Sequence, residues 1–155
     1  MTNRLEALEA LENWAAGPLR QLEPAARNRL ARSLGQALRR SQQQRVIAQR
    51  NPDGSRYAPR KKRNLLGKQG RVKRKVQMFQ KLRTTRFLKV KADGNAISVG
   101  FTGRIANIAR VHQYGLKDRP ELGAPNVKYE KRELLGFTDV DLDLIRDGLL
   151  AHVTN

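Results

Sequence analysis

The sequence predicts an α+β fold: an N-terminal helical pair, a basic loop, and a small antiparallel sheet with a C-terminal helix packed on it. Three observations carry this reading. Apolar residues recur at helical spacing near both ends of the chain, two-residue alternation marks 97–101, and a cationic stretch without periodicity separates the two regimes. At 155 residues the chain suits one domain, 1–155. Its apolar share is 39% and its aromatic share 5%, so the core is assembled from Leu, Ile, Val and Ala and is expected to lean on neighbours for part of its stability.

From Arg4 to Ala16, Leu5, Leu8, Leu11 and Trp14 recur every three residues with Glu6, Glu9 and Glu12 between them. This is an amphipathic helix, ended by Gly17-Pro18. A second helix starts near Pro24, a residue suited to a first turn, and carries Leu30, Leu34 and Leu38 at four-residue spacing toward about Gln49. The stripe has two possible partners, this chain's own sheet or a neighbouring subunit. Asn51-Pro52-Asp53-Gly54 signals a turn, and about 51–75 reads as a mobile basic loop. Val72, Val76, Phe79 and Leu82 fit one face of a short helix.

Phe87–Lys91 and Ala96–Phe101 read as a hairpin around Ala92-Asp93-Gly94-Asn95, with Ile97, Val99 and Phe101 on one face. Two strands do not stand alone, so helices or further strands must cover that face, and Val127 to Tyr129 offers a third strand. Ile105, Ile108 and Val111 predict a short helix with an apolar edge, closed by Gly115 and followed by the charged turn Lys117-Asp118-Arg119-Pro120. Thr138 caps a terminal helix from Asp139 to about His152, with Val140, Leu144, Ile145 and Leu149 as its buried stripe.

Net charge is +18, and its location matters more than its size. Residues 39–91 hold 19 Lys and Arg against the single acid Asp53, while the rest balances at 13 of each sign. Such a segment repels itself until an anionic partner neutralises it. Arg60, Lys61, Lys62, Arg63, Lys68, Arg71, Lys73, Arg74 and Lys75 are the candidate contacts to an anion. An acidic protein, DNA, or no partner beyond solubility all satisfy the charge. Few aromatics accompany these cations, chiefly Tyr57 and Phe79, which leaves little for base stacking.

Catalytic machinery is not expected. There is no cysteine, which removes disulfides, thiolate nucleophiles and cysteine-bearing zinc sites. His112 and His152 stand far apart, and His112 reads as a helix-end hydrogen-bonding residue. Asp139-x-Asp141-x-Asp143 starts like a calcium loop, but Leu144 and Leu150 fill its glycine and glutamate positions, so helix-dipole acids are the reading. Gly67-Lys68-Gln69-Gly70 lacks the earlier glycine of a phosphate loop, and no serine stands in a nucleophile elbow. The expectation is no catalytic residue, no metal and no cofactor. No signal-peptide run or membrane span occurs, so a soluble intracellular product is expected.

Gly103 to Pro120, GRIANIARVHQYGLKDRP, followed by Val127-Lys128-Tyr129 and Arg132-Glu133-Leu134-Leu135-Gly136-Phe137-Thr138, resembles the phage virion morphogenesis family, the S-type tail completion proteins of contractile-tailed phages. Asp53 to Lys61 and Met78 to Arg83 fit the same pattern. The specificity lies in the order and spacing of these pieces. The resemblance implies a non-enzymatic component of the virion tail, made in the host bacterial cytoplasm, that finishes the head-proximal end so that a filled head can attach. It further implies a homo-oligomeric ring, a hexamer by analogy, meeting tail tube or sheath proteins and head or neck connector proteins, with possible DNA contact and no membrane. On that reading the sheet edges and Arg104, Ile108, Arg110, His112 and Tyr114 are where subunits or the tail tube would touch. The charge alone supports an alternative, a sequence-nonspecific nucleic-acid-binding protein acting through 39–91.

Overall fold

A computed structural model describes residues 3–60 and 77–153. The order is α1 (Arg4–Gln21), α2 (Pro24–Ile47), β1 (Leu88–Ala92), β2 (Ile97–Phe101), α3 (Ile105–Tyr114), β3 (Lys117–Asp118), β4 (Val127–Lys128) and α4 (Asp139–Val153). The α+β class is as predicted. Residues 61–76, including Lys61, Lys62, Arg63, Lys68, Arg71, Lys73, Arg74, Lys75 and the start of the helix expected from Val72, lie outside the described residues.

The spine is α2, 24 residues and so about 36 Å long. Its N-terminal half buries Leu30 and Leu34 with Ala15 of α1 and Leu149 of α4, joined at the margin by Leu11, Leu19, Leu22, Ile97, Leu144 and Ile145. Its last turn places Val46 in a second cluster with Tyr57, Leu82, Ala109 and Leu134. The leucine stripe therefore meets this chain's own core. Two glycines set the spacing. A Cβ on Gly35 would stand 2.6 Å from Val90 Cγ1 on the hairpin, and one on Gly148 would stand 2.4 Å from Leu34 Cδ2. Both positions admit only hydrogen without repacking, and α2 lies close to sheet and terminal helix alike.

α1 does not stop at Gly17 and Pro18 but continues through them to Gln21. Pro18 removes the donor that would reach the Trp14 carbonyl, a defect that ends most helices. Here burial of Ala15 and the packing of Leu19 and Leu22 on both sides of the defect hold the helix together. The predicted stripe is corrected too: Leu5 and Trp14 are 65% and 47% exposed. Three residues turn a helix by about 300°, so a strict three-residue repeat slides off any one face, and Leu11, Ala15, Leu19 and Leu22 form the buried one.

β1 and β2 pair antiparallel, with Leu88 opposite Phe101, Val90 opposite Val99 and Ala92 opposite Ile97. The turn is closed by Asp93, whose Oδ1 accepts from Asn95 N at 2.7 Å and Ala96 N at 3.0 Å. The expected third strand does not join them. Val127–Lys128 pairs with Lys117–Asp118 as a separate two-stranded sheet, and α2 covers the hairpin instead. The helix expected to run to Leu82 is absent over 78–82, where the chain makes turns that continue to 87, because Phe79 has φ 66° and cannot continue a right-handed helix.

At the other end, α4 packs on α1 and α2 and shares its cluster with Ile97 of the hairpin. Thr138 Oγ1 accepts from Asp141 N at 3.1 Å while Asp141 Oδ2 accepts from Thr138 N at 2.9 Å, a reciprocal cap. Asp141 is not a surface acid of the first turn but fully buried, accepting also from Ser41 Oγ and from Gln42 Nε2 at 3.2 Å on α2. Val140, placed in the buried stripe by spacing, is 69% exposed. No helix among the described residues is long and apolar enough to cross a membrane.

Candidate functional site

Past the end of α2 the chain turns through Gln49, φ 58°, and the side chain of that residue fixes the start of the 78–87 turns. Its Nε2 donates to Val46 O at 2.7 Å and Met78 O at 3.0 Å, and its Oε1 accepts from Met78 N at 3.0 Å. Both backbone groups of Met78 are thus held, and Phe79 comes next in the left-handed region, where a bulky aromatic residue is strained. The strain aims the Phe79 ring into an aromatic row. Tyr57 and Phe79 meet at 5.7 Å and 87°, Phe79 and His112 at 4.9 Å and 73°, and His112 and Tyr129 at 5.1 Å and 75°. All three are edge-to-face pairs, the arrangement the ring quadrupoles favour.

Beside this row runs a cleft of about 710 Å³ walled by Arg60, Met78, Phe79, Ile108, His112, Pro120, Val127, Lys128, Tyr129, Glu130 and Arg132. Arg132 is its buried cation, 4% exposed. Its Nε donates to Ala58 O at 2.7 Å, Nη2 to Pro59 O at 2.9 Å, and Nη1 lies 3.3 Å from His112 Nδ1. Nδ1 must be the acceptor there, since guanidinium only donates. Burial first, then the charges of Arg132 and Arg60, push His112 down to about 4, so the ring is neutral at pH 7. Burial also lowers Arg132, against the pull of Glu130.

The segment 132–136 that carries Arg132 has no helix or strand of its own, and side chains supply most of its hydrogen bonds. Arg132 N reaches His112 O at 2.7 Å and Glu133 N reaches Asn51 Oδ1 at 2.9 Å. Leu134 N and Leu135 N share Gln113 Oε1 at 2.8 and 2.9 Å, and Gly136 N reaches Gln42 Oε1 at 3.1 Å. On the carbonyl side, Arg45 donates to Glu133 O at 2.9 Å and Leu134 O at 3.0 Å, Tyr57 to Glu133 O at 3.1 Å, and Gln113 Nε2 to Leu135 O at 2.8 Å. Leu134 beneath is fully buried. Burial pushes the Tyr57 phenol up to about 12, which keeps it in its donating form, and burial lowers Arg45 against the pull of Tyr57, Asp141 and Glu133.

α3 ends as predicted, with Gly115 in the left-handed conformation and its N–H on Val111 O. Of the residues singled out on this helix, Ile108 and His112 line the cleft, and Arg60 joins them from the basic segment. Ile108 is 49% exposed, so the predicted apolar edge is buried at Val111, partly buried at Ile105 and open at Ile108. Arg104, Arg110 and Tyr114 are exposed and stand outside it, and Lys61, Lys62, Arg63, Arg71, Lys73, Arg74 and Lys75 lie outside the described residues. Sequence reasoning missed Arg132 and the cleft roles of Phe79 and Tyr129. The pieces that carry the family resemblance contain all three, but neither spacing nor motif shows that they meet, because turns and hydrogen bonds from distant glutamines position their segments. Among the described residues no three His, Asp or Glu side chains converge as metal ligands would.

The model of the phage virion morphogenesis family matches residues 6–154. The chain belongs to that family. Tail completion protein S of Escherichia phage P2 is 41% identical over 150 residues, covering 96% of this chain and 99% of that relative. No solved structure matches. The part of the chain that the phage virion morphogenesis family model spans, 6–154, includes the aromatic row, the cleft and the 132–136 segment.

Proposed function

We propose that this chain is a non-enzymatic assembly protein that completes the head-proximal end of a phage tail, acting as a ring of identical copies, and makes that end competent for head joining. One observation carries the reading: 41% identity running through 96% of the chain to a protein named for tail completion. The exposed side of α3 and the cleft beside it supply surface for contacts between copies or with tail proteins, since Ile108 and Tyr114 are 49% and 64% exposed. One domain, 1–155, would carry the role in the virion, after synthesis in the bacterial cytoplasm.

Negative-stain electron microscopy of tails lacking this protein tests it, with purified, nuclease-treated protein added and filled heads given to half the sample. Capped ends that then join heads are the expected result. Bare tails that never join heads would remove the assignment.

The concentration of net charge in residues 39–91 favours a second reading, sequence-nonspecific binding of nucleic acid. Part of that charge is already committed within the fold: Arg45 holds Glu133 O and Leu134 O, and Arg50 donates to Gly54 O at 2.7 Å. Protein that coats added DNA in low salt while leaving tails bare would favour this reading over tail completion.

A further inference from the structure

Leu122 is the most exposed large apolar residue in the described structure, at 104% of its reference area. It does not sit on a loose loop. Ala124 N donates to Glu121 O at 3.1 Å, closing a four-residue turn in which Leu122 is the second residue and Gly123, φ 82°, the third. That is the position where such a turn requires a positive φ, and glycine meets it without strain. Pro120 and Pro125 bracket the turn and remove backbone freedom on both sides. A leucine fully in water, held forward on a stiffened turn beside an exposed glutamate, has lost in advance much of the entropy that binding would cost.

The cleft offers the complement. Phe79, Ile108 and Tyr129 give it an apolar wall, and Arg60, Lys128 and Arg132 outnumber the one acid, Glu130, among its lining residues. Neither arginine has a carboxylate at ion-pair distance among the described residues. A carboxylate next to a branched aliphatic side chain complements that net positive, apolar lining. Glu121-Leu122 presents that pair, but its own turn holds Leu122 out in solvent.

We infer that the Glu121-Leu122 turn of one copy seats in the cleft of a second copy, Leu122 against Ile108 and the aromatic row and Glu121 toward Arg60 and Arg132. The inference rests on the proposed homo-oligomeric reading and names its contact. Tip and cleft adjoin at Pro120 but use different residues, Glu121 and Leu122 on the one and Arg60, Ile108 and Arg132 on the other, so the contact runs head to tail. Contacts of this head-to-tail kind close into rings when the rotation permits.

The chain contains no cysteine, so single cysteines report proximity without background. Leu122→Cys and Ile108→Cys, both at exposed positions, are purified separately, mixed, and oxidised as free protein and again on complemented tails. A disulfide-linked heterodimer formed from the mixture, and well above the yield of either variant alone, is expected in both samples. Charge exchange is the second arm. Glu121→Lys should weaken self-association at least tenfold by analytical ultracentrifugation, and adding Arg60→Glu to the same chain should restore it.

If no heterodimer forms, or if Glu121→Lys self-associates like the unmodified protein, the inference is overturned. Where the unmodified protein still forms rings, the ring reading survives that failure. A heterodimer together with an unmodified protein that stops at dimers upholds the seating and removes the ring. Monomeric protein that still caps tails, with no heterodimer on them, removes the contact and leaves tail completion standing.

Discussion

His112 shows how one residue serves two neighbours. Its ring packs between Phe79 and Tyr129, while its Nδ1 holds a guanidinium that would be costly to leave half-satisfied in a buried site. Protonation removes that acceptor and sets two cations against each other. The folded ring titrates at about 4 against 6.5 for a free histidine, so between those values the unfolded chain binds more protons than the folded one. Stability therefore rises with pH through this window: fully present above about pH 6.5, it is lost as pH falls toward 4. Allowing for solvent screening at a half-buried ring, the loss is on the order of 1–2 kcal/mol. Chemical denaturation at pH 7.5, 6, 5 and 4.5 checks it, and His112→Gln, which keeps an acceptor without the titration, should flatten the curve across that range. The sequence placed His112 at a helix end with hydrogen-bonding capacity, and that much was legible. Its partner was not, because Arg132 lies 20 residues on in a segment with no periodic pattern.

Among the elements, α1 records a contest between local and tertiary preference. A proline in a helix interior costs about 3 kcal/mol by intrinsic propensity, yet the helix runs on past it. Pro18→Ala restores the missing backbone donor, and since Pro18 is only partly buried, little packing is lost with the ring. Thermal unfolding should show a higher midpoint, worth on the order of 1 kcal/mol or more. An unchanged or lower midpoint would mean that the pyrrolidine ring itself fills space against the core. Local reading fails here for the reason it fails at Leu5 and Val140: spacing says that a helix forms, and only the surrounding elements say which face is buried and where it stops. Gly115 and the Thr138 cap were legible because they act on their own neighbours within a turn. The separate pairing of Val127–Lys128 was not, since two residues carry no alternation to compare.

Across the whole molecule, charge and fold are partly separate designs. The described core rests on Leu, Val and Ala clusters and on amide and guanidinium bonds to backbone carbonyls, whereas the excess cations crowd the middle of the chain. If this separation holds, Lys61→Glu, Lys62→Glu and Arg63→Glu together should change unfolding stability by less than about 1 kcal/mol. Under the proposed readings, their effect falls on association. If the anionic partner is DNA, affinity falls and the dependence of log K on log salt loses slope by roughly one per lost phosphate contact. Loss of tail capping with DNA retention unchanged would point to an acidic protein. The class of fold was legible at this scale from the two periodicities and the charge block. The cleft was not, since Arg60, Phe79, His112, Tyr129 and Arg132 are scattered between the basic segment and the far side of α3 and share no pattern.

The 132–136 segment also imposes an order in time. Its backbone is held by Gln42, Arg45, Asn51, Tyr57 and Gln113, all of which leave the ribosome earlier and must wait for it. Arg132, the cleft's buried cation, arrives with that segment. A chain still in synthesis therefore lacks a finished cleft even when α1, α2 and the hairpin are complete, and under the proposed contact nascent copies crowded on one messenger would not capture one another through it. On that proposal, competence to pair waits for residues 132–136.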